Sequence, residues 1–561
     1  MKKIILTIVF SISLSVYSQN QQQFDSIFSR FNNKEVPGVV AGMIKDGEVI
    51  YLKGYGVANL QTKELITPQT KFQLGELSKQ FTTLAILLLE EQGRVSLKDN
   101  IRKYLPDLPK YKHIITISDL LNHSSGLYDL NRINIVVNGN TKNLTQVEAL
   151  RLIASQKTLS FIPGTDFSFH QSVTESILMA QIVEKSSGKP FANFVKTNIF
   201  LPLGMKNSII KDDSNLIFKN VAESYQKEEG KGFKKFDVTT NVVGAINAYS
   251  TAEDLAKWYL NFTNPKGYLG KLIQKLDNPV KLSNGKKFIY YWGEMAIGRE
   301  FTHPERGLPI FWNYGLQEGY GTNVFRYLDQ NITAFVLGNN NQYNGGYAHD
   351  LIDVLVEDLY PLPPNIDFKA KKIKKLSTKK LKSFEGHYWF KEGYASELFV
   401  KNDTLRTKWL FSGNERYQTL IPLSDNTFQQ YAKMEDVRFF KFKNDGKNMK
   451  LYFSYNESTP DIMERYKPIN LSVKDLQAYV GTYYNEEYAT LFTFRVEKGK
   501  LVAKNLNHKD IKFKAVKKNI FTSTSMFFNA LKFNKNTKGD VNSFTIVTDG
   551  IQNLKFFKIR K

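Results

Sequence analysis

The stretch that most constrains this chain runs from Phe72 to Gly93. Its apolar residues at Leu77, Phe81, Leu84, Ala85 and Leu88 recur at the spacing of one helix face. Gly93 stands where a helix commonly stops in a left-handed residue. Phe72 to Leu74 form a short apolar lead-in, and Gly75 allows close backbone approach. The pattern predicts a helix starting near Glu76, with Lys79 one turn later on the same side. Whatever the rest of the chain does, it must cover that apolar face.

There is material to do so. The 561 residues suffice for two to four domains and a large core. Cysteine is absent, which excludes disulfides, thiolate-held metal and a thiol nucleophile. The opening Met1-Lys-Lys, the apolar run from Ile4 and the small or β-branched residues Val16 and Ser18 read as a secretory signal peptide over residues 1–18. The protein is therefore expected to be exported, either periplasmic or secreted. The net charge of +23 is spread along the chain, as ordinary lysine-rich surface chemistry would be. It leaves room for weak attraction to anionic surfaces, and nothing in it indicates nucleic-acid binding. The exception to the even spread is Lys369 to Lys382, which holds eight lysines and no acid and follows Pro361-Leu-Pro-Pro-Asn365. It reads as a linker over 363–380.

Upstream of the linker, Asp46-Gly47 between two β-rich runs signals a hairpin. Ser250-Thr-Ala-Glu253 signals a capped helix start. Downstream, an internal repeat pairs Leu381, Phe384, Gly386 and Tyr388 with Leu476, Tyr479, Gly481 and Tyr483. It also pairs Val400 to Leu405 with Val496 to Leu501. Short aromatic strands broken by Asn, Gly and Lys predict two small antiparallel β units, 381–468 and 472–561, each a barrel or half-barrel. Their aromatics either fill a small core or line a ligand cavity.

The landmarks between Val36 and Asn340 resemble the serine β-lactamase and penicillin-binding-protein family, including its D-aminopeptidase-type members. The carriers are the Glu76-Leu-Ser78-Lys79 helix start, His123-Ser-Ser-Gly126-Leu127, Pro163-Gly-Thr-Asp-Phe, Pro202-Leu-Gly-Met205, Ser250-Thr-Ala-Glu-Asp-Leu and the strand ending at Asn339. The resemblance implies an α/β (α+β) fold, a β-lactamase/transpeptidase-like domain over 19–362, then two lipocalin-like β domains. It implies no cofactor and no metal.

The departures fall on the chemistry. The family's nucleophile motif is Ser-x-x-Lys; here the lysine is Lys79 and Glu76 stands at the serine. Its Tyr-x-Asn falls on Phe169 and Gln171, or, in a register shifted by two, on Gln171 and Val173. Phenylalanine has no proton to shuttle. His170 would take the middle position of the first register, which normally points away from the cleft. The third-motif cation or imidazole is replaced by Asn313, although Gly315 is kept. Ser78 lies about 200° around the helix from Glu76 and is no substitute. His123 is expected to bond backbone and fix its turn.

No catalytic residue is therefore expected at Glu76, Lys79, Phe169, Gln171, Asn313 or Gly315, and Glu76 is expected to pair with Lys79 or to fill the old oxyanion hole. Three readings follow. One is a non-catalytic binding protein for peptidoglycan fragments or D-amino-acid peptides. Another is a hydrolase using Glu76 as general base on water. The last is a scaffold acting through the C-terminal β domains.

Overall fold

The computed structural model describes residues 20–559 except 140–143, 169–171, 214, 237–241, 291–292, 341–345, 361–372, 391–394, 410–416, 432–436, 447, 456–459, 524, 526–527 and 549. The expected signal peptide, Phe169, His170, Gln171 and the first three lysines of the lysine run, Lys369, Lys371 and Lys372, lie outside those residues.

The first domain is built on an eight-stranded sheet. Its strands are β1 (Val39–Lys45), β2 (Glu48–Tyr55), β3 (Ile289–Tyr290), β4 (Gly293–Met295), β5 (Phe301–Glu305), β6 (Leu308–Gln317), β7 (Tyr320–Tyr327) and β8 (Ile332–Gly338). They lie in the order β2-β1-β8-β7-β6-β5-β4-β3. Asp46 and Gly47 make the two-residue turn between β1 and β2, both at positive φ (51° and 79°). That geometry suits the right-handed strand twist and explains why Asp-Gly occupies it.

β1 is buried on both faces. Val40 and Ile44 enter the large helical core, while Val39, Ala41 and Met43 pack beneath Phe24, Phe28 and the helix Tyr347–Val356. Asn339, just past β8, is a clamp. Its Oδ1 accepts from Gly38 N–H (2.7 Å), and its amide donates to the carbonyls of Val57 (3.1 Å) and Glu223 (2.9 Å).

The predicted central helix is present as a 3₁₀ turn, Gly75–Ser78, running into α1 (Lys79–Glu91). Gly93 closes it at φ +67°. The expectation of a single buried face is too narrow, because every residue from Lys79 to Leu89 is buried. The polar positions between the apolar ones bond to protein. Thr82 Oγ1 donates to Gly244 O (2.6 Å), and Trp258 Nε1 donates to Gln80 Oε1 (2.8 Å). Phe81 packs edge-on against Phe200 and Trp258. A central helix with satisfied polar groups on all sides needs no solvent face.

Around α1 stand α2 (Leu130–Asn138), α3 (Ser172–Ser187) and α4 (Ala252–Thr263). Thr251 caps α4 by accepting from Asp254 N–H (3.2 Å). The expected Ser250–Glu253 capping box is not formed: the cap falls one residue later, and the Asp254 side chain is engaged elsewhere. The Asp254 carboxylate accepts from Asn207 N–H (2.7 Å) and Ser208 Oγ (2.9 Å), which ties the turn after Pro202-Leu-Gly-Met205 to this helix.

The two halves of the C-terminal repeat share geometry. Tyr388 OH donates to Phe384 O, and Tyr483 OH donates to Tyr479 O, both at 2.9 Å. Val400 pairs Leu405 as Val496 pairs Leu501. Their strand numbers differ. The first unit is a nine-stranded sheet between Gly386 and Tyr466, preceded by the helix Thr378–Lys382. The second is a closed eight-stranded barrel between Gly481 and Lys558. The barrel interior holds Tyr483, Phe492, Phe494, Phe533, Phe544 and Phe556 in mutual contact, so these aromatics fill a core.

This barrel is docked on the first domain. Asp129 N–H donates to Gly550 O (2.9 Å), Asn553 Nδ2 donates to Ser160 O (2.9 Å), and the Glu487 carboxylate accepts from Lys157 N–H (2.9 Å). A Cβ at Gly139 would collide with Asn507 O.

Candidate functional site

The site forms where the Gly75–Ser78 turn meets β6. Gly75 adopts φ +55°. A Cβ at Gly315 would lie 2.5 Å from Thr322 Oγ1, 3.0 Å from Leu74 O and 3.2 Å from Glu76 N. Only glycine lets the strand backbone approach the turn so closely, which accounts for Gly315. β5 pairs with Leu308 to Trp312 alone, whereas β7 pairs with β6 through Gln317. Beyond Trp312, β6 thus runs past the Gly75–Ser78 turn without β5 beside it.

Glu76 and Lys79 form an ion pair, Lys79 Nζ donating to Glu76 Oε2. Lys79 is 3% exposed and Glu76 30%. Burial lowers the Lys79 pKa; the Glu76 carboxylate opposes that shift, and the charge of Arg299 adds to it. Ser78 faces away, its Oγ accepting from Ala248 N–H (3.1 Å). It fastens the turn to the strand Ala248–Ser250.

Asn313 is buried and does not present its amide as a cation would. Its Nδ2 donates to the Arg299 carbonyl (3.1 Å). Arg299 itself went unnoticed in the sequence. It is buried, holds φ +68° and donates from Nη1 to Met295 Sδ (3.2 Å). Its positive charge bears on Lys79, His123 and Glu175 together. The only sequence signal was the Arg299-Glu300 pair interrupting the apolar run Met295-Ala-Ile-Gly298.

The expectation for His123 needs correction. Among the described residues its ring bonds no backbone; Nδ1 lies 2.5 Å from Glu175 Oε2, and Ser125 Oγ donates to Glu175 Oε1 (2.7 Å). His123 still shapes the turn, at φ +51° with its carbonyl accepting from Ser168 N–H (3.0 Å). Glu175, on the buried face of α3, is the second residue the sequence reading missed. Its signal was an acid in register with Leu178, Met179 and Ile182.

Burial raises the Glu175 carboxyl to about 8, against the bonds from Ser125. Burial and the charges of Arg299 and Lys79 hold His123 well below its ordinary value. Both shifts favour the uncharged pair near neutral pH, a protonated carboxyl donating to a neutral imidazole. A raised carboxyl contributes stability that is complete below its unfolded value and is lost as the pH rises through about 8. Gln can make both bonds without titrating. Glu175→Gln is accordingly expected to gain on the native chain between about pH 5 and 8, by on the order of 1–4 kcal/mol. Thermal melts across that range check it; a constant difference between the two chains would mean that Glu175 does not titrate there.

Among the described residues no group of three or more His, Asp or Glu side chains is arranged to hold a metal.

A turn-borne residue followed by a buried helical lysine, faced by a glycine-bearing strand edge, defines the fold and cleft of the serine acyl-transfer class. The chain belongs to the beta-lactamase family, whose model matches residues 24–357. It is 27% identical to penicillin-binding protein 4* of Bacillus subtilis over 434 residues, 72% of this chain and 90% of that one. It is 27% identical to a D-aminopeptidase of Gluconobacter oxydans over 275 residues, covering 47% of this chain and 50% of that one. The octameric penicillin-binding protein homologue from Pyrococcus abyssi shares the fold at TM-score 0.53 and 22% identity, over 80% of this chain and 99% of that structure.

Proposed function

We propose that this chain is an exported binding protein of the beta-lactamase family that holds peptides without acyl transfer. Its ligands on this reading are peptidoglycan fragments or peptides containing D-amino acids; the Gluconobacter oxydans relative is named a D-aminopeptidase. The observation that carries the reading is the Glu76–Lys79 ion pair. The carboxylate occupies the nucleophile's position and ties up the ammonium that would otherwise lower the cost of removing a nucleophile's proton. Attack by a carboxylate on an amide would leave a mixed anhydride, and Phe169 offers no proton for the leaving amine. Members of a catalytic unit act together, so losing several leaves little rate. The strand edge beyond Trp312 remains suited to hold an extended peptide by main-chain bonds.

The test is incubation of the native chain with a fluorescent penicillin and with a D-alanyl ester, alongside muropeptide titration. We expect saturable muropeptide binding, no covalent adduct and no turnover. An acyl adduct on the native chain would overturn the reading. Turnover that disappears in Glu76→Ala would make Glu76 a general base acting on water instead.

A further inference from the structure

The closed barrel carries an outward-facing patch that neither its core nor its docking on the first domain uses. Strand register places Tyr484 opposite Leu491 on one side and opposite Phe557 on the other. Ile559 lies one pair along, its N–H donating to Thr482 O (2.8 Å). These four side chains point away from the barrel interior, and Tyr484 is 36%, Leu491 37%, Ile559 50% and Phe557 56% exposed. Single exposed apolar residues are ordinary on a protein surface. Four side by side across three strands form a patch.

Lysines border that patch on both sides. Thr493, cross-strand from Thr482, pairs with exposed Lys504. On the other side Lys555 stands one pair above Phe557, with its ammonium 4.9 Å from the Phe557 ring centre, and Thr545 pairs both Lys555 and Lys532. One exposed acid, Glu486, follows Tyr484 by two residues, and it pairs with Lys157 of the first domain (3.5 Å). An apolar centre of Leu, Ile, Tyr and Phe within a lysine rim matches the two components of a lipid interface: an acyl boundary that takes the apolar tips, and anionic headgroups that take the ammonium groups. The aliphatic members argue against sugar stacking, which uses aromatic faces.

From this juxtaposition we infer that the outer wall of the C-terminal barrel, centred on Tyr484 and Phe557 and rimmed by Lys504, Lys532 and Lys555, docks the protein on an anionic lipid surface. The contact is peripheral and reversible. Each lysine near such a surface strengthens binding by roughly fivefold, so the rim makes the docking sensitive to salt.

The experiment is flotation of the full chain with vesicles of phosphatidylcholine containing phosphatidylglycerol, and with phosphatidylcholine alone. The expected result is binding to the anionic vesicles that falls steeply as salt rises. Tyr484→Ser with Phe557→Ser should weaken it about 10-fold or more. Lys504→Gln, Lys532→Gln and Lys555→Gln together should weaken it roughly 10–100-fold. All five positions face outward, so circular dichroism should leave the variants indistinguishable from the native chain. Any contribution of the apolar N-terminal residues is common to every variant and cancels. Equal binding to neutral vesicles, or unchanged binding in either variant, overturns the inference. So does capture by a soluble anionic glycan with no binding to vesicles.

Discussion

A chain carrying Glu76→Ser and Phe169→Tyr is expected to be acylated by a penicillin under conditions that leave the native chain unmodified. The scaffold needed for that reaction is largely in place. Gly315 still brings β6 against the turn, and Lys79 still projects from the first turn of α1 into a buried setting. Removing Glu76 also withdraws the charge that raises the Lys79 pKa. Burial and Arg299 then push the lysine further toward the neutral amine that can accept a proton. The restored phenol supplies the missing proton shuttle. Gln171 and Asn313 still depart from the family pattern, so the rate should stay about 10²–10⁴-fold below that of a complete site. Intact-mass measurement after incubation reads the adduct directly. If neither the double variant nor Glu76→Ser acquires mass, the cleft is blocked and the defect is not confined to the exchanged side chains.

The largest stability loss is expected at Arg326, behind the cleft. Its guanidinium is buried, donates from Nε to Glu300 Oε2 (2.7 Å) and from Nη2 to Asp277 Oδ1 (2.5 Å), and lies over the rings of Phe262 and Phe311. Glu300 in turn accepts from Gln80 Nε2 (2.8 Å) on α1. Burial raises the Glu300 carboxyl; the Arg326 charge counters that shift. Arg326→Ala would leave Glu300 and Asp277 without their cation, at a cost on the order of 3–5 kcal/mol. Urea unfolding should show a midpoint shift of that size, with Arg326→Lys falling between the two. A loss below about 1 kcal/mol would show that water or a shifted side chain satisfies the carboxylates.

How far the sequence disclosed all this depended on whether a residue's role was local. Asp46-Gly47, Gly93 and the glycine of the His123 turn sit at backbone positions that few other residues tolerate, so a single chain suffices to read them. The repeat was legible for the same reason: the Tyr388 and Tyr483 hydroxyl bonds each span four residues. The helix at Lys79 was legible as a helix but not as a fully buried one, because what packs on its polar side comes from Gly244, Trp258 and Glu300. Arg299 and Glu175 escaped for that reason too. Each enters the site from a segment far along the chain, and nothing in the flanking residues announces the meeting. Closure of the second β unit likewise depends on pairing between its end strands, Gly481–Asn485 and Ile551–Lys558.

The bond from Asp129 N–H to Gly550 O makes the start of α2 dependent on a hairpin more than four hundred positions downstream. The start of α2, whose Asp129 bears electrostatically on the buried Lys79, and the tail of the chain are therefore one mechanical piece. An alteration at that distant bend would reach the surroundings of Lys79 with every motif of the first domain left untouched, and severing the tail would deprive α2 of one of its supports.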